Sequence, residues 1–419
     1  MAKTEHSTCP VHNLERDYNP FVDPQLNDPF PVWALARSES PVFHSDVLDA
    51  WVVSRYRDIV EVLRNPGVFG SVAARKMFAR GCPEADRILA ELPPLEETNP
   101  LASEPPIHTK LRRYLQPAFM PQRVAAWESN LSGIAHSIID TFESRGHGDF
   151  HADYAYRYPL VVVCRLIGLP AEYQDQVKEW ASMRVDLRNA DLDPEQQLVA
   201  ARAQIDYYEF TLDLVSQRRA NPGDDLLSWI IQDSDSSDDP LTDAQLASQA
   251  TSLLTAGHET TSYWLTITMR RLLRNRELWA AMAADAATRN AVLEEALRLD
   301  GPVQSIWRKT KTEVELGGVT IPAGARVSVV LASGNLDAEK FEAPEEFRLD
   351  RANATHHVTF GRGIHTCVGA GIARLEGRVS LEALGMRLPK LRLASDGGDL
   401  TFKSSATQRI PQQLFVEWM

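Results

Sequence analysis

One cysteine in this chain stands where sulfur chemistry is favoured. The run F-G-R-G-I-H-T-C-V-G, from Phe360 to Gly369, sets Cys367 in a glycine-rich, basic loop immediately before a segment with amphipathic helical spacing. Gly361, Gly363 and Gly369 permit a tight backbone and the close approach of a flat ligand. Arg362, His365 and the N-terminus of the following helix favour negative charge on the Cys367 sulfur. A thiolate in such a loop can bind a metal. A cysteine beside one glycine is an ordinary turn feature; the full spacing argues for a ligand.

Three further clusters precede the loop. A-G-H-E-T-T, Ala256 to Thr261, interrupts a helical stretch with Gly257, which costs about 1 kcal/mol relative to alanine in a helix interior. Threonine hydroxyls there bond back to the preceding turn and loosen it. A packed kink would account for this segment, and so would a helix opened for a ligand at Gly257 with an acid, Glu259, beside an alcohol, Thr260, to move protons. Glu295 and Arg298 form E-x-x-R, a spacing that taken alone makes a surface ion pair. E-P-P-I-H-T-K-L-R-R, Glu104 to Arg113, puts His108 and Arg112 one turn apart on a helical face, where a lone positive pair is ordinarily solvated.

In this order the four motifs resemble those of the cytochrome P450 family, and the decapeptide fills every fixed position of F-x-x-G-x-H/R-x-C-x-G. The resemblance implies that Cys367 is the axial ligand of a heme b (iron protoporphyrin IX), in a loop formed with Phe360, Gly361, His365 and Gly369. It implies that Gly257 makes room for the macrocycle and dioxygen while Glu259 and Thr260 relay protons. His108 and Arg112, with Arg308 of W-R-K-T and His365, would hold the propionates, because buried carboxylates require such partners. Glu295 and Arg298 would be buried and structural. One departure stands out: residues 334–337 read G-N-L-D where many bacterial relatives read A-N-R-D, so Leu336 replaces an arginine.

The activity that the resemblance implies is that of a heme-thiolate monooxygenase. A thiolate ligand favours cleavage of the O–O bond, as is general for this family. One oxygen atom of O2 would enter a small apolar substrate, aromatic or terpenoid, by hydroxylation or oxidative O-dealkylation. Electrons would come from NAD(P)H through a separate [2Fe-2S] or similar ferredoxin and its reductase, docking on the thiolate side among Lys110, Arg113, Arg362, Arg374 and Arg378. The alternatives are a peroxide-driven heme peroxygenase, against which the intact Glu259–Thr260 pair speaks, and a non-catalytic heme-binding sensor.

The elements that must position these residues are mostly helices. With 419 residues, 44% hydrophobic and 24% charged, the chain can bury a large core. No linker or repeat divides it, so the expectation is a flexible tail over 1–20 and one heme domain over 21–419, mostly α with minor β in the cytochrome P450 fold. The absence of a long apolar run or of a signal-peptide core predicts a cytoplasmic protein with no membrane contact, and a net charge of −13 argues against nucleic acid. Cys9, Cys82, Cys164 and Cys367 form no C-x-x-C pair, and Cys9 with His12 sits in the polar tail. Expected elements are a helix over Pro31–Arg37, a strand pair, a helix over Arg57–Leu63, an irregular lid over 71–104 and helices from Ile107. A solvated acidic loop at 233–240 comes next, followed by a long helix opened by a T-x-x-Q capping box at Thr242 and β-rich patches at 313–331 and 400–417. Met77, Phe78, Leu253, Ala256, Val303 to Ile306, Ala406 and Thr407 are expected to line the substrate pocket by family position, with Arg75, Lys76 and Arg188 as candidate carboxylate partners.

Overall fold

The computed structural model describes residues 13–71, 82–190, 192–395 and 400–419. The chain begins with α1 (Leu14–Asp17), α2 (Phe30–Glu39), strands β1 (Val42–Ser45) and β2 (Ala50–Val53), α3 (Tyr56–Arg64) and β3 (Phe69–Gly70). Leu14 and Tyr18 are buried against Trp33, so packing begins inside the stretch expected to be tail. Two short helices, α4 (Pro83–Leu89) and α5 (Leu95–Thr98), occupy part of the expected irregular lid. Ala85 and Cys82 pack there with Ala201, so the segment is anchored to the helical layer.

Helices α6 (Ile107–Leu115), α7 (Pro121–Ala126) and α8 (Glu128–Asp140), strand β4 (His147–Asp149) and a π-helical turn at His151–Ala155 lead into α9 (Arg157–Ile167). Then come α10 (Gln174–Asn189), α11 (Pro194–Ala220), α12 (Leu226–Asp235) and the long α13 (Asp243–Leu273). The expected acidic loop is partly helical, and its charges are used: Asp235 pairs with Arg219 and Asp239 with Lys110. The predicted capping box opens α13, with Gln245 N–H donating to Thr242 Oγ1 at 3.2 Å and Thr242 N–H to Gln245 Oε1 at 3.1 Å. Such a cap contributes about 1 kcal/mol.

The rest comprises α14 (Arg276–Ala284), α15 (Ala286–Asp300), β5 (Ile306–Thr310), β6 (Val314–Leu316), β7 (Val319–Ile321), β8 (Arg326–Val329) and α16 (Leu331–Gly334). After the cysteine loop come α17 (Ala370–Arg387), β9 (Arg392–Leu393), β10 (Phe402–Lys403), β11 (Ile410–Pro411) and β12 (Phe415–Glu417). The main sheet has the order β1-β2-β8-β5-β3, with β2 parallel to β8 and β5 antiparallel to β8. It sets Arg308 opposite Val327. Helix α13 runs through the centre, packed on α9, α10, α11 and α15. Trp264, Leu265 and Met269 join it to α8, α15 and α17 in the largest apolar cluster, where each fully buried large side chain contributes on the order of 2–3 kcal/mol. Leu336 is buried with Trp33 and Val330, so apolar packing stands where many relatives place an arginine. Among the described residues, no helix is long and apolar enough to cross a membrane.

Candidate functional site

The cysteine loop is shaped by backbone. Gly363 has φ +74°, and a Cβ there would lie 2.3 Å from the Leu63 carbonyl oxygen of α3, so both conformation and space demand glycine. The Cys367 N–H donates to Phe360 O at 2.8 Å and closes the turn. Cys367 keeps accessible surface, yet protein surrounds it closely enough that burial pushes its thiol above the ordinary range. Both are true because the sulfur faces an interior recess. The N–H groups of Gly369 and Ala370 and the guanidiniums of Arg112 and Arg374 pull the thiol back down without overcoming burial.

This corrects the expectation that Arg362 and His365 favour the thiolate. Arg362 donates to the carbonyls of His356 and His357 at 2.9 and 3.3 Å. The His365 Nδ1–H donates to Pro100 O at 3.1 Å and its Nε2 accepts from Ser71 Oγ at 2.8 Å. Burial, reinforced by Arg308, pushes His365 down to about 3 and keeps it neutral. A metal cation on the sulfur would supply what these groups do not, since coordination deprotonates a thiol outright.

The cations expected to hold carboxylates do gather beside the loop. The His108 and His365 rings lie 4.3 Å apart, and Arg112 Nη2 donates to Thr366 O at 2.9 Å. Arg308 on β5 is buried, donates to Trp307 O at 2.7 Å, and is pushed down to about 10 by burial against the opposing charge of Glu104. His108 Nε2 and Arg112 Nε are buried with no hydrogen-bond partner. Orphaned buried donors cost about 1–3 kcal/mol each, so this cradle suits an anionic acceptor such as a heme propionate. His365 spends both ring nitrogens within the protein, which reduces the expected set of four donors to His108, Arg112 and Arg308.

The middle of α13 is also opened. Ala256 is exposed in the centre of a helix that is otherwise largely buried, with Leu253 and Thr260 half-buried on the same face. Thr260 Oγ1 bonds back to Ala256 O at 2.9 Å. Gly257 corrects an expectation: a Cβ there would lie 2.7 Å from Val163 Cγ2, so the glycine makes room for α9, and the exposed Ala256 gives that face its open wall.

Glu259, next along the helix, points away from that wall and is 1% exposed. Its Oε1 accepts from Tyr156 Oη and Ser182 Oγ, each at 3.0 Å, and its Oε2 accepts from the Tyr263 hydroxyl. Burial alone would raise this carboxyl. Hydrogen bonds and charge from His258, with the hydroxyls of Tyr263 and Tyr156, outweigh it and hold the group at about 2. Sequence spacing could not find Tyr156 or Ser182, which come from the turn before α9 and from α10; a polar residue at a helix position otherwise facing a neighbour was the only available signal.

Val303 and Ile306 are half-buried, while Ala406 and Thr407 are buried in a turn clasped to Gln304, whose N–H donates to Thr407 O at 2.8 Å. The Thr407 hydroxyl donates to Asn189 Oδ1 at 2.7 Å. Arg188 is half-buried near the end of α10, whereas Arg75, Lys76, Met77 and Phe78 lie outside the described residues.

Glu295 and Arg298 form a fully buried bidentate pair at 2.9 and 2.7 Å, joined by Arg351 at 2.9 Å. Arg298 also donates to the carbonyls of Asn335, Pro344 and Glu346, which ties α15 to the segment before the cysteine loop. The thiolate side is less basic than its sequence suggests. Lys110 pairs with Asp239, Arg374 with Glu294 and Arg378 with Glu128, while Arg113 is exposed with its guanidinium over the Tyr114 ring.

Comparison with known proteins places this geometry. The cytochrome P450 family model matches residues 84–384. The chain is 34% identical to vitamin D(3) 25-hydroxylase of Pseudonocardia autotrophica, over 91% of this chain and 92% of that protein. It is 31% identical to the cytochrome P450 monooxygenase PikC of Streptomyces venezuelae, over 93% and 91% of the two chains. The crystal structure of cytochrome P450 CREJ in complex with (4-ethylphenyl) dihydrogen phosphate superposes with a TM-score of 0.90 at 31% identity, covering 96% of this chain and 99% of the other. The cysteine loop, the orphaned cations and the opened face of α13 thus sit in a known architecture, and the chain belongs to the cytochrome P450 family, whose members are heme monooxygenases.

Proposed function

We propose that this protein inserts one oxygen atom of O2 into a small apolar molecule held above the Cys367 sulfur, with electrons delivered from NAD(P)H by a separate ferredoxin and reductase. The reading is carried by two exposed features, the Cys367 sulfur and the Ala256 face of α13 with Thr260 on it, backed by Glu259, the acid one residue before Thr260. Cys367 would ligate the heme iron, and His108, Arg112 and Arg308 would hold its propionates. When bound, heme would supply dioxygen activation, with O2 itself as the oxidant. The protein's part is to orient, to exclude water and to move protons: Thr260 offers its hydroxyl to the recess, and Glu259 stands behind it as the proton source.

Leu253, Ala256, Val303 and Ile306 give the recess an apolar lining, which suits hydroxylation or dealkylation of an aromatic or terpenoid compound. The relative named as a vitamin D(3) 25-hydroxylase supports hydroxylation of an apolar substrate. Arg113 and Arg362 lie on the thiolate side without an acidic partner in their bonds and suit an acidic ferredoxin. The test is a panel of phenol ethers, terpenes, aromatic acids and macrolides, screened first for heme spectral shifts. Binders are then assayed with NADH, ferredoxin and reductase, or with hydrogen peroxide alone. Product formed only with the electron-transfer partners upholds the reading; product with peroxide alone makes the protein a peroxygenase, and binding without product makes it a sensor.

A further inference from the structure

His258 precedes the relay acid and has no part in ligand holding, substrate lining or the Glu259–Thr260 relay. Its side chain is 0% exposed. The Nδ1–H donates to Leu254 O at 2.6 Å, which fixes the ring and leaves Nε2 facing Tyr156 and Glu259. Nε2 lies 3.2 Å from Tyr156 Oη and 3.5 Å from Glu259 Oε1, and Tyr156 Oη lies 3.0 Å from that same carboxylate oxygen. Three groups that exchange protons therefore form a closed triangle, walled off from water by α9, α10 and α13.

We propose that His258 and Tyr156 are positioning residues that keep one proton in reserve for Glu259 and pass it across the tyrosine hydroxyl. This rests on the reading of Glu259 as the acid that serves the recess. The physical problem it solves is plain: a carboxyl held at about 2 is almost never protonated near neutral pH, so Glu259 alone has nothing to give. An imidazole is the side chain that ordinarily holds a proton in that range.

The transfer balances. The N–H bond at His258 Nε2 breaks as an O–H bond forms at Tyr156 Oη, and the proton that Tyr156 already carried moves to Glu259 Oε1. Burial and the Glu259 charge push the Tyr156 phenol far above its ordinary range, so no phenolate accumulates and the two moves occur together. Glu259 then releases its proton toward Thr260 and returns to carboxylate. Neutral His258 is reloaded by a hydronium ion or buffer acid from solvent. The entry is Ser182, half-buried on α10, whose Oγ lies 3.0 Å from Glu259 Oε1 and 3.3 Å from Tyr156 Oη.

Other titratable groups surround the triangle. From the π-helical turn, His151 holds Thr266 at 2.8 Å and stacks on Tyr263, with Asp149 behind it, and burial pushes it below the ordinary range. From α10, Lys178 Nζ lies 4.7 Å from the centre of the Tyr156 ring, and Asp186 acts on Tyr263. From α11, burial pushes the Tyr207 phenol well up and keeps it neutral. Tyr263, on α13 itself, donates to the other Glu259 oxygen.

The experiment compares the heme-loaded parent with Tyr156→Phe, His258→Gln and the control Glu259→Gln, using one substrate and a surrogate ferredoxin system. Product per NADH is measured from pH 6 to 8.5, and the infrared stretch of protonated Glu259 is read as a difference against Glu259→Gln. The parent should lose coupling as pH rises. Tyr156→Phe and His258→Gln should show at least fivefold less product per NADH at pH 7.5 with a flattened profile, and His258→Gln, which removes the main group holding the Glu259 carboxyl down, should show at pH 5 a protonated Glu259 band that the parent lacks. Parent-like coupling in the two variants, or no such band in His258→Gln, overturns the proposal. Tyr156→Phe removes one oxygen and preserves packing, so it decides the matter even if His258→Gln does not fold. Unchanged coupling in Glu259→Gln would overturn the acid relay itself; loss of coupling there with parent-like Tyr156→Phe and His258→Gln would overturn the reserve alone.

Discussion

On the sulfur side Cys367 is placed by glycine dihedrals, a Phe360 carbonyl and the N–H groups of Gly369 and Ala370, nearly all within ten residues of sequence. On the other, Glu259 is placed by hydroxyls from Tyr156, Ser182 and Tyr263, drawn from three different elements. The difference teaches where each side can fail. A backbone-built loop breaks all at once when one residue cannot adopt its conformation. A network of side chains yields in steps, one hydroxyl at a time.

The comparison breaks most completely at the sulfur. Cys367→Ser should abolish the thiolate-type band of the reduced, carbon-monoxide-bound protein, whereas Cys82→Ala and Cys164→Ala should keep it; persistence of the band in Cys367→Ser would remove the ligand assignment. Next in size is Gly363→Ala, where a left-handed φ and a 2.3 Å approach to Leu63 O should cost about 3 kcal/mol or more of stability. Thermal and denaturant unfolding with and without heme measure that loss. An unchanged midpoint would mean the loop is not set by its backbone.

On the α13 side the effect should be graded. Thr260→Ala is expected to retain heme and substrate binding but to lower product per NADH several-fold, with the missing electrons recovered as peroxide or water. Unchanged coupling would make its bond to Ala256 O merely structural.

A smaller, pH-dependent effect sharpens the sulfur side. Burial would raise the Glu294 carboxyl, but hydrogen bonds from His357 and Arg374 outweigh it and hold the group at about 2. Because the folded value lies below the unfolded one of about 4.3, this stabilisation is complete above that pH and is lost as pH falls toward 2. Glu294→Gln should therefore lower the melting temperature at pH 7 and approach the parent only as pH falls toward 2; parallel curves would refute the linkage. The smallest effect is expected at the docking face. Arg113→Glu and Arg362→Glu should slow ferredoxin-dependent reduction a few-fold at low salt and little at high salt, and equal salt slopes for parent and variants would place the partner elsewhere.

The same contrast explains what could be read from residues alone. The cysteine loop and the E-x-x-R pair depend on short spacing; the structure closes the loop on the Phe360 carbonyl and buries the pair as the resemblance implied. The capping box and the span of α13 were legible because they are local signals. Side-chain partners were not. Gly257 was read as space for a ligand, yet the atom it accommodates is on Val163 of another helix. His365 was expected to be a free donor until Ser71 and Pro100 came up beside it, and the five docking cations lost three of their number to Asp239, Glu294 and Glu128. Each depends on residues remote in sequence, and no periodicity announces them.

The order β1-β2-β8-β5-β3 has a consequence for how the protein comes into being on the ribosome. Strands β1 and β2 can pair with each other early, but β2 cannot meet β8, nor β3 meet β5, until residues 306–329 have been made. His108 and Arg112 likewise wait for Arg308 and for the loop that carries Cys367. Nascent chains should therefore carry an unpaired edge for most of synthesis, and a cofactor could be captured only once translation is nearly finished.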